Sequence, residues 1–459
     1  MKRAVLAGTL LVVIVGGLYG YAATRRDRTY RQLVAQGEAA LARDEAFAAI
    51  EAFSGAILFK PDSMLGYLKR GEAYRKHGDL NEALKDLRYA SVLDPKAPRP
   101  LELLGDVNHA LQRYDRAAEQ YERYVQLDDS SPRLLYKLAL ARYSEGQPDA
   151  AIEALKKAIA LDAKFAEAHY LLGLCLRDLQ RPRDSQRALE RAVAIEPALW
   201  QAHEELADAY NRAGRHRERI ARLDALLALD PSPSRHVALG LAYAEAGQTD
   251  RAVAILGAAA ERYPEYAHTY VALGRVWLGV AQVRGDRVSL GKALEALEQA
   301  AGTDESSEAL TLFGRALLMA SDEPLAERIL QQATEKRPAD RLSFYYLAEA
   351  AERRGHADVA RRALLDYRAL DGEDPGSRRR RLLHQRIGDL SMRLHEPATA
   401  VVWYRRALDP STPDSALAVR LAEAQWRAGD PAAARETLRP LLAREPDHRE
   451  ARALMRRVR

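Results

Sequence analysis

The order of small, large apolar and polar residues along this chain returns about every 34 positions. Residues 81–95, NEALKDLRYASVLDP, repeat the pattern of residues 47–61, FAAIEAFSGAILFKP: a small residue, a large apolar one, a second small one, then proline. With Gly71 as the eighth residue of a 34-residue unit, the same slot falls on Gly37, Gly71, Gly105, Ala139, Gly173, Ala207, Gly240, Gly274, Gly314, Ala348, Gly388 and Ala422. Twelve residues later stand Ala49, Ala83, Ala117, Ala151, Ser185, Arg219, Ala252, Ala293, Ala326, Ala360, Ala400 and Ala434, once seven extra residues in the eighth unit are allowed for. Every residue of the first set is glycine or alanine, and ten of the twelve in the second are alanine, so both slots answer a geometric demand.

That demand is the close approach of two helices. Small residues at the two slots let the helices pair, while Phe53, Leu87, Tyr121, Leu155, Leu189, Leu223, Leu256, Leu297 and Leu330 fill the space beside them. Gly78, Gly146, Gly214, Gly247, Gly355 and Gly429 are expected to end the first helix in a left-handed conformation, which costs glycine nothing. Asn81, Asp115, Asp149, Asp250 and Asp358 are expected to cap the second helix. Pro61, Pro95, Pro197, Pro231, Pro264, Pro338 and Pro446 then close the unit, because proline cannot continue a helix. No such hairpin buries its apolar face alone, so the units must stack.

This pattern resembles the tetratricopeptide-repeat family, whose signature sets Gly or Ala, Leu or an aromatic, Ala, a bulky apolar residue, Ala and Pro at this period. The resemblance covers about residues 30–446. It implies an all-α fold, a right-handed superhelical α-solenoid of about twelve hairpins behind an N-terminal transmembrane or signal-anchor helix. The expected plan is an apolar span and basic flank over 1–29, repeats one to ten over 30–369, and a basic loop or hinge over 370–380. Repeats eleven and twelve follow over 381–446, and a capping helix over 447–459. The sixth unit departs from the signature at Arg219 and Leu226, and Tyr367 and Leu441 replace the second alanine of the tenth and twelfth. In the eighth, WLGVAQVRGDRVSLGKAL is expected to lengthen both helices and project an Arg-Gly-Asp turn, whereas LDGEDPGSRRRR, ending in Arg378 to Arg381, reads as a loop. Beyond Pro446, Ala451, Leu454, Met455 and Val458 share one face of a short helix suited to closing the array.

The amino terminus breaks the pattern. Ala4 to Ala23 is an uncharged run, AVLAGTLLVVIVGGLYGYAA, and twenty helical residues at about 1.5 Å each span a hydrocarbon core of roughly 30 Å. Lys2 and Arg3 precede it and Arg25, Arg26, Arg28 and Arg31 follow, a count that favours a single-pass anchor with the repeats on the cytoplasmic face. The Lys-Arg start and Gly20-Tyr21-Ala22 also fit an export signal, which would place the repeats in the periplasm.

Composition removes several function classes. Basic and acidic residues, 70 against 65, are mixed along the chain rather than gathered in a stripe, so nucleic acid is not an expected partner. The single cysteine, Cys175, lies in the apolar LLGLCL and excludes a disulfide framework or a multi-cysteine metal site. GxxxxGK[ST], strand-borne GxGxxG and HExxH are absent, and HEELA at His203 lacks the second histidine of a zinc helix. No enzyme activity, small-molecule substrate, cofactor or metal is expected.

What remains is a binding array. The family resemblance implies that first helices line a concave surface, with the fifth and ninth residues of each unit facing inward. Chaperone-binding members hold a terminal carboxylate with Lys at the fifth slot and Asn at the ninth. Here the fifth slots carry Val34, Leu68, Glu102, Tyr136, Tyr170 and Glu204, and the ninth Glu38, Glu72, Asp106, Leu140, Leu174 and Asp208, so that clamp is absent. In repeats four to six these slots turn apolar and aromatic: Tyr136, Leu140, Tyr143, Tyr170, Leu174 and Arg177, flanked by Glu204, Asp208 and Asn211. Tyrosines beside an arginine suit a peptide groove. The same tyrosines also fit plain packing between neighbouring first helices. The sequence therefore reads as a non-catalytic, membrane-anchored scaffold that binds protein segments and assembles a complex. Its alternative is an exported or periplasmic component of a secretion or polysaccharide-export apparatus.

Overall fold

The glycine slot shows why each unit folds as a pair. A Cβ built on Gly71 would lie 2.8 Å from Leu87 Cγ, and one on Gly314 would lie 2.3 Å from Leu330 Cγ, so the second helix rests on bare backbone of the first. Twelve residues on, Ala83, Ala151, Ala326 and Ala434 have no exposed surface. Both slots are packing positions.

The computed structural model describes residues 2–303, 306–370, 377–409 and 414–458, with the backbone alone for residues 2–15 and 19. Among the described residues there are 25 α-helices and no strand. They fall into two units, Met1–Arg215 and His216–Arg459, whose boundary lies inside the irregular sixth repeat, between α11 and α12.

The first unit begins with α1 (Lys2–Ala42) and α2 (Ala46–Phe59), then α3 (Met64–His77) and α4 (Leu80–Leu93). Next come α5 (Pro98–Ala110), α6 (Tyr114–Leu127), α7 (Pro132–Ser144) and α8 (Pro148–Leu161). It ends with α9 (Ala166–Asp178), α10 (Pro182–Ile195) and α11 (Trp200–Arg212).

The second unit holds α12 (His216–Leu229), α13 (Pro233–Glu245), α14 (Thr249–Arg262), α15 (Ala267–Arg284) and α16 (Arg287–Thr303). It continues with α17 (Ser307–Met319), α18 (Glu323–Glu335), α19 (Arg341–Arg354) and α20 (Ala357–Ala369). The last are α21 (Arg378–Arg393), α22 (Pro397–Ala407), α23 (Ser415–Arg427), α24 (Pro431–Arg444) and α25 (Arg449–Arg457). Within each unit odd-numbered first helices pair with the even-numbered second helices that follow, and α25 buries Ala451 and Leu454 against the last hairpin, with Val458 just beyond it. Helices α15 and α16 reach 18 and 17 residues, so the insertion in the eighth unit does lengthen both.

Three local readings need correction. Asp115, Asp149, Asp250 and Asp358 are not N-caps but stand inside the first turn of the second helix, and Asn81 is the second residue of α4. The caps are Asp79, Arg113, Gln147, Gln248 and His356, none of which accepts a capping bond from the helix through its side chain. Where an aspartate does stand at the cap of an equivalent turn, as at Asp322 and Asp430, its side chain accepts from the helix; Asp115, Asp149, Asp250 and Asp358 lie two residues later and act instead on the helix dipole. Second, Arg378 to Arg381 are helical: Ser377 Oγ accepts from Arg380 N (3.2 Å) and starts α21 at Arg378, inside the expected loop. Residues 371–376 of that loop lie outside the described residues. Third, α1 runs unbroken across the expected boundary at residue 30.

Most side chains of the expected span, residues 4–15 and 19, also lie outside the described residues, and among those that are described no helix is long and apolar enough to cross a membrane. The described remainder is exposed: Leu18 is 64% and Tyr21 68% exposed, and a Cβ on Gly16, Gly17 or Gly20 would meet nothing within 4 Å.

Candidate functional site

Ser131 accepts from Leu134 N (3.3 Å) to begin α7. Along this helix Tyr136, Leu140 and Tyr143 fall at i, i+4 and i+7 and so share a face. The same spacing puts Tyr170, Leu174 and Arg177 on one face of α9, and Glu204, Asp208 and Asn211 on one face of α11. The three first helices belong to the first unit, so the candidate residues lie within one body.

The structure joins some of them directly. Tyr143 Oη donates to Asp178 Oδ2 (2.8 Å), and Arg177 Nη2 approaches the same hydroxyl at 3.4 Å. Arg177 Nη1 also holds both oxygens of Glu205 at 2.7 and 2.8 Å, which ties α9 to α11. Burial alone would lower the Arg177 pKa, but the bonds to Glu205 and Asp178 outweigh it and raise it, so this cation is fixed. Burial, then the bond to Asp178, pushes the Tyr143 phenol up to about 12.

The other tyrosines share their area with the core. The Tyr136 ring lies 5.2 Å from that of Phe165, and Tyr136, Leu140, Tyr143 and Leu174 all pack on one buried cluster. Tyr170 packs on a second cluster, with Leu189 and Tyr210. Each of these candidates is half-buried, so its inner edge serves stacking and its outer edge is available. Glu204, Asp208 and Asn211 are exposed.

Several residues of this face escaped the sequence reading. Lys137 Nζ donates to Glu102 Oε1 and Asp106 Oδ1, both at 2.8 Å, bridging consecutive first helices. Glu38 meets Lys69 at 2.9 Å, Glu72 meets Arg99 at 3.2 Å, and Asp389 meets Arg420 at 2.7 Å. The ninth-slot acids of repeats one, two, three and eleven are therefore engaged by the next first helix. A second aromatic surface lies on α19, where Tyr345 stands 5.6 Å from Tyr346 and 5.5 Å from Tyr367, with Arg386 over Tyr345 and Arg315 over Tyr346. Its only sequence signal is the run FYY at 344–346.

Among the described residues no group of His, Cys, Asp and Glu side chains could hold a metal ion. Cys175 is buried, and burial first, then Asp178, pushes its thiol up to about 12, away from thiolate chemistry. The face can hydrogen-bond, stack and pair charges.

Sequence models described as tetratricopeptide repeat match residues 68–132, 166–199, 237–266 and 392–458, and one described as TPR repeat matches 139–179. These stretches are tetratricopeptide repeats. Over 97 residues the chain is similar to two fungal proteins. One is a small glutamine-rich tetratricopeptide repeat-containing protein 2 of Mycosarcoma maydis, 34% identical; the other is a heat-shock protein cognate co-chaperone of Aspergillus fumigatus, 30% identical. Each alignment takes in 21% of this chain, and the chain spans 28% of each relative's length. The crystal structure of MamA is 27% identical over 35% of this chain and 94% of its own, with a TM-score of 0.34. Arrays of tetratricopeptide repeats are protein-interaction scaffolds, and nothing in the geometry above adds a catalytic constellation.

Proposed function

We propose that the chain is a membrane-anchored scaffold that takes up a protein segment along the first helices of repeats four to six and so assembles a complex. The observation that carries the groove is the alignment of three first-helix faces in one unit: half-buried tyrosines on α7 and α9, then exposed Glu204, Asp208 and Asn211 on α11. An extended segment laid across them would meet aromatic edges first and hydrogen-bonding groups next, the mixture common at binding hot spots. The co-chaperone role named for the Aspergillus relative does not carry over easily, because Lys and Asn are missing from the fifth and ninth slots read above.

The anchor is supported by the apolar run and by the exposure of Leu18 and Tyr21 at its described end. The arginine count favours the cytoplasmic face. The reading with the repeats in the periplasm rests on the Lys2-Arg3 start and the small residues at Gly20 and Ala22. Reporters fused to the carboxyl terminus decide the side. For the groove, photo-crosslinkers placed at positions 208 and 211 of the full chain should give discrete protein adducts. Adducts only from second-helix positions such as 153 would sink the groove reading.

A further inference from the structure

The last two residues of α2 and the turn that follows, residues 58–63 and together called the α2–α3 loop, begin 35 residues after Ala23, the end of the apolar run, yet the fold holds them beside that end. Arg26 Nη2 donates to Phe59 O (3.3 Å), Lys60 pairs with Asp27, and the Tyr30 hydroxyl meets Ser63 Oγ at 2.6 Å. Arg26 follows Ala23 by three residues on the unbroken helix α1, about 4.5 Å along its axis. Whatever level the end of the run occupies, Phe59 and its neighbours therefore occupy nearly the same one.

These neighbours expose apolar surface among the described residues. Leu58 is 79% exposed, Leu65 38% and Phe59 37%, although α2 buries Ile50, Phe53 and Ile57; Phe47, at its far end, is exposed as well. Beside them on α1 stands Arg26, which reaches Phe59 O, and the same stretch of helix carries Arg25 and Arg28, all exposed, and Arg31, whose side chain is 78% exposed. Asp27 is spent on Lys60 and Arg31, and with Asp62 exposed in the loop the five bases Arg25, Arg26, Arg28, Arg31 and Lys60 still outnumber two acids, which leaves the cluster net positive. Exposed leucine and phenylalanine beside an arginine-rich stretch of helix fit the boundary between anionic headgroups and acyl chains.

We propose that the α2–α3 loop is a second membrane contact, in which Leu58 and Phe59 enter the interface of an anionic bilayer while Arg25, Arg26, Arg28 and Arg31 meet its headgroups. This rests on the anchor reading above and adds a consequence to it. A span joined to the repeats by one rigid helix and braced by a loop beside it fixes the tilt of the first repeat on the bilayer. A flexible linker would leave the first repeat free to swing.

The test uses the full chain in vesicles. Because Cys175 is fully buried, a thiol-reactive environment-sensitive fluorophore on Leu58→Cys reports that position alone, with the wild-type chain as the labelling blank. Gln36→Cys, exposed and about 20 Å up the helix from Ala23, is the control. In vesicles of phosphatidylcholine with phosphatidylglycerol, emission at position 58 should shift to the blue and be quenched by lipids carrying a quencher on the upper acyl chain. Emission at position 36 should stay aqueous, and the shift at 58 should shrink in phosphatidylcholine alone. A chain that binds vesicles while position 58 stays aqueous overturns the loop contact and leaves the anchor standing. An equal shift in both lipids overturns the role given to the arginines, and failure to bind either vesicle removes the anchor and the contact together.

Discussion

The Tyr121 ring of α6 lies directly on Gly105 of α5: a Cβ on that glycine would stand 2.3 Å from Tyr121 Cε1. The ring is also pinned from its other end, since Tyr121 Oη donates to Asp106 Oδ1 at 2.8 Å, and it cannot swing aside without losing that bond. Gly105→Ala should therefore destabilise the first unit by about 1–3 kcal/mol through overpacking. Gly257 on α14 is the matched control, with nothing within 4 Å of its would-be Cβ, and Gly257→Ala should be neutral or stabilise by up to about 1 kcal/mol through helix propensity. Thermal or urea melts of the two variants check this. Equal effects would mean that the glycine slot is not set by contact with the second helix.

Turn geometry supplies a second expectation. All twelve hairpin turns contain a left-handed residue, but in five of them it is Asp44, Gln112, Gln180, Ser321 or His395, at φ between 58° and 62°. A side chain in that region costs roughly 1 kcal/mol that glycine does not. Gln112→Gly and Gln180→Gly should each raise stability by about 0.5–1 kcal/mol, the strain relief less the extra entropy of the unfolded glycine. A melting point that falls in both variants would refute this.

These two cases mark what the sequence could and could not show. Gly105 and Tyr121 were legible as a pair because close packing permits few residues, and the constraint recurs twelve times at one spacing. Gln112 was not, because glutamine carries no turn signature and its left-handed backbone is imposed by the two helices it joins. Asp115 was placed one turn-residue wrong for the same reason: Arg113 takes the cap with φ −93° and ψ 66°, and the helix starts at Tyr114. In the candidate face, Tyr136 and Tyr143 could be placed by periodicity, whereas the bond of Lys137 to Asp106 could not. Its partners lie 31 residues apart and meet only once two units are stacked.

Acid should weaken the second unit through His384. Burial, with Arg368, Arg380 and Arg406 nearby, holds its imidazole below the usual 6.5 despite the backbone contact between Nδ1 and Arg406 O. The folded state thus favours the neutral ring, and the unfolded chain takes up the proton more readily. The stability this contributes is complete above about pH 6.5 and is lost as pH falls from there through the depressed folded value. Hydrogen exchange of α21 and α22 should speed up between pH 7 and pH 5, after correction for intrinsic rates, more in the native protein than in His384→Asn. An identical pH response in the two would exclude this histidine as the source.

The face on α7 and α9 must be tested by changes that separate binding from folding. Tyr136 packs on Phe165 and on the buried cluster beneath it, so Tyr136→Ala should cost stability as well as affinity. Tyr143 offers a cleaner probe, because its hydroxyl bonds Asp178 at the exposed edge while its ring is only partly covered. Tyr143→Phe removes the bond that aligns the phenol with Arg177, and should change stability by less than about 1 kcal/mol. Tyr143→Ala removes the ring edge offered to a partner. Once a partner has been isolated with the full chain, Tyr143→Ala or Tyr170→Ala should weaken its binding by about 2 kcal/mol or more, with helicity and melting close to those of the native protein. Asp208→Ala, exposed on α11, should lower affinity without any effect on folding. If affinity survives all of these substitutions, or falls only where the melting point falls with it, the tyrosines are packing residues. The partner would then have to be sought on the Tyr345–Tyr346 surface of α19, where Arg315 and Arg386 stand over the rings.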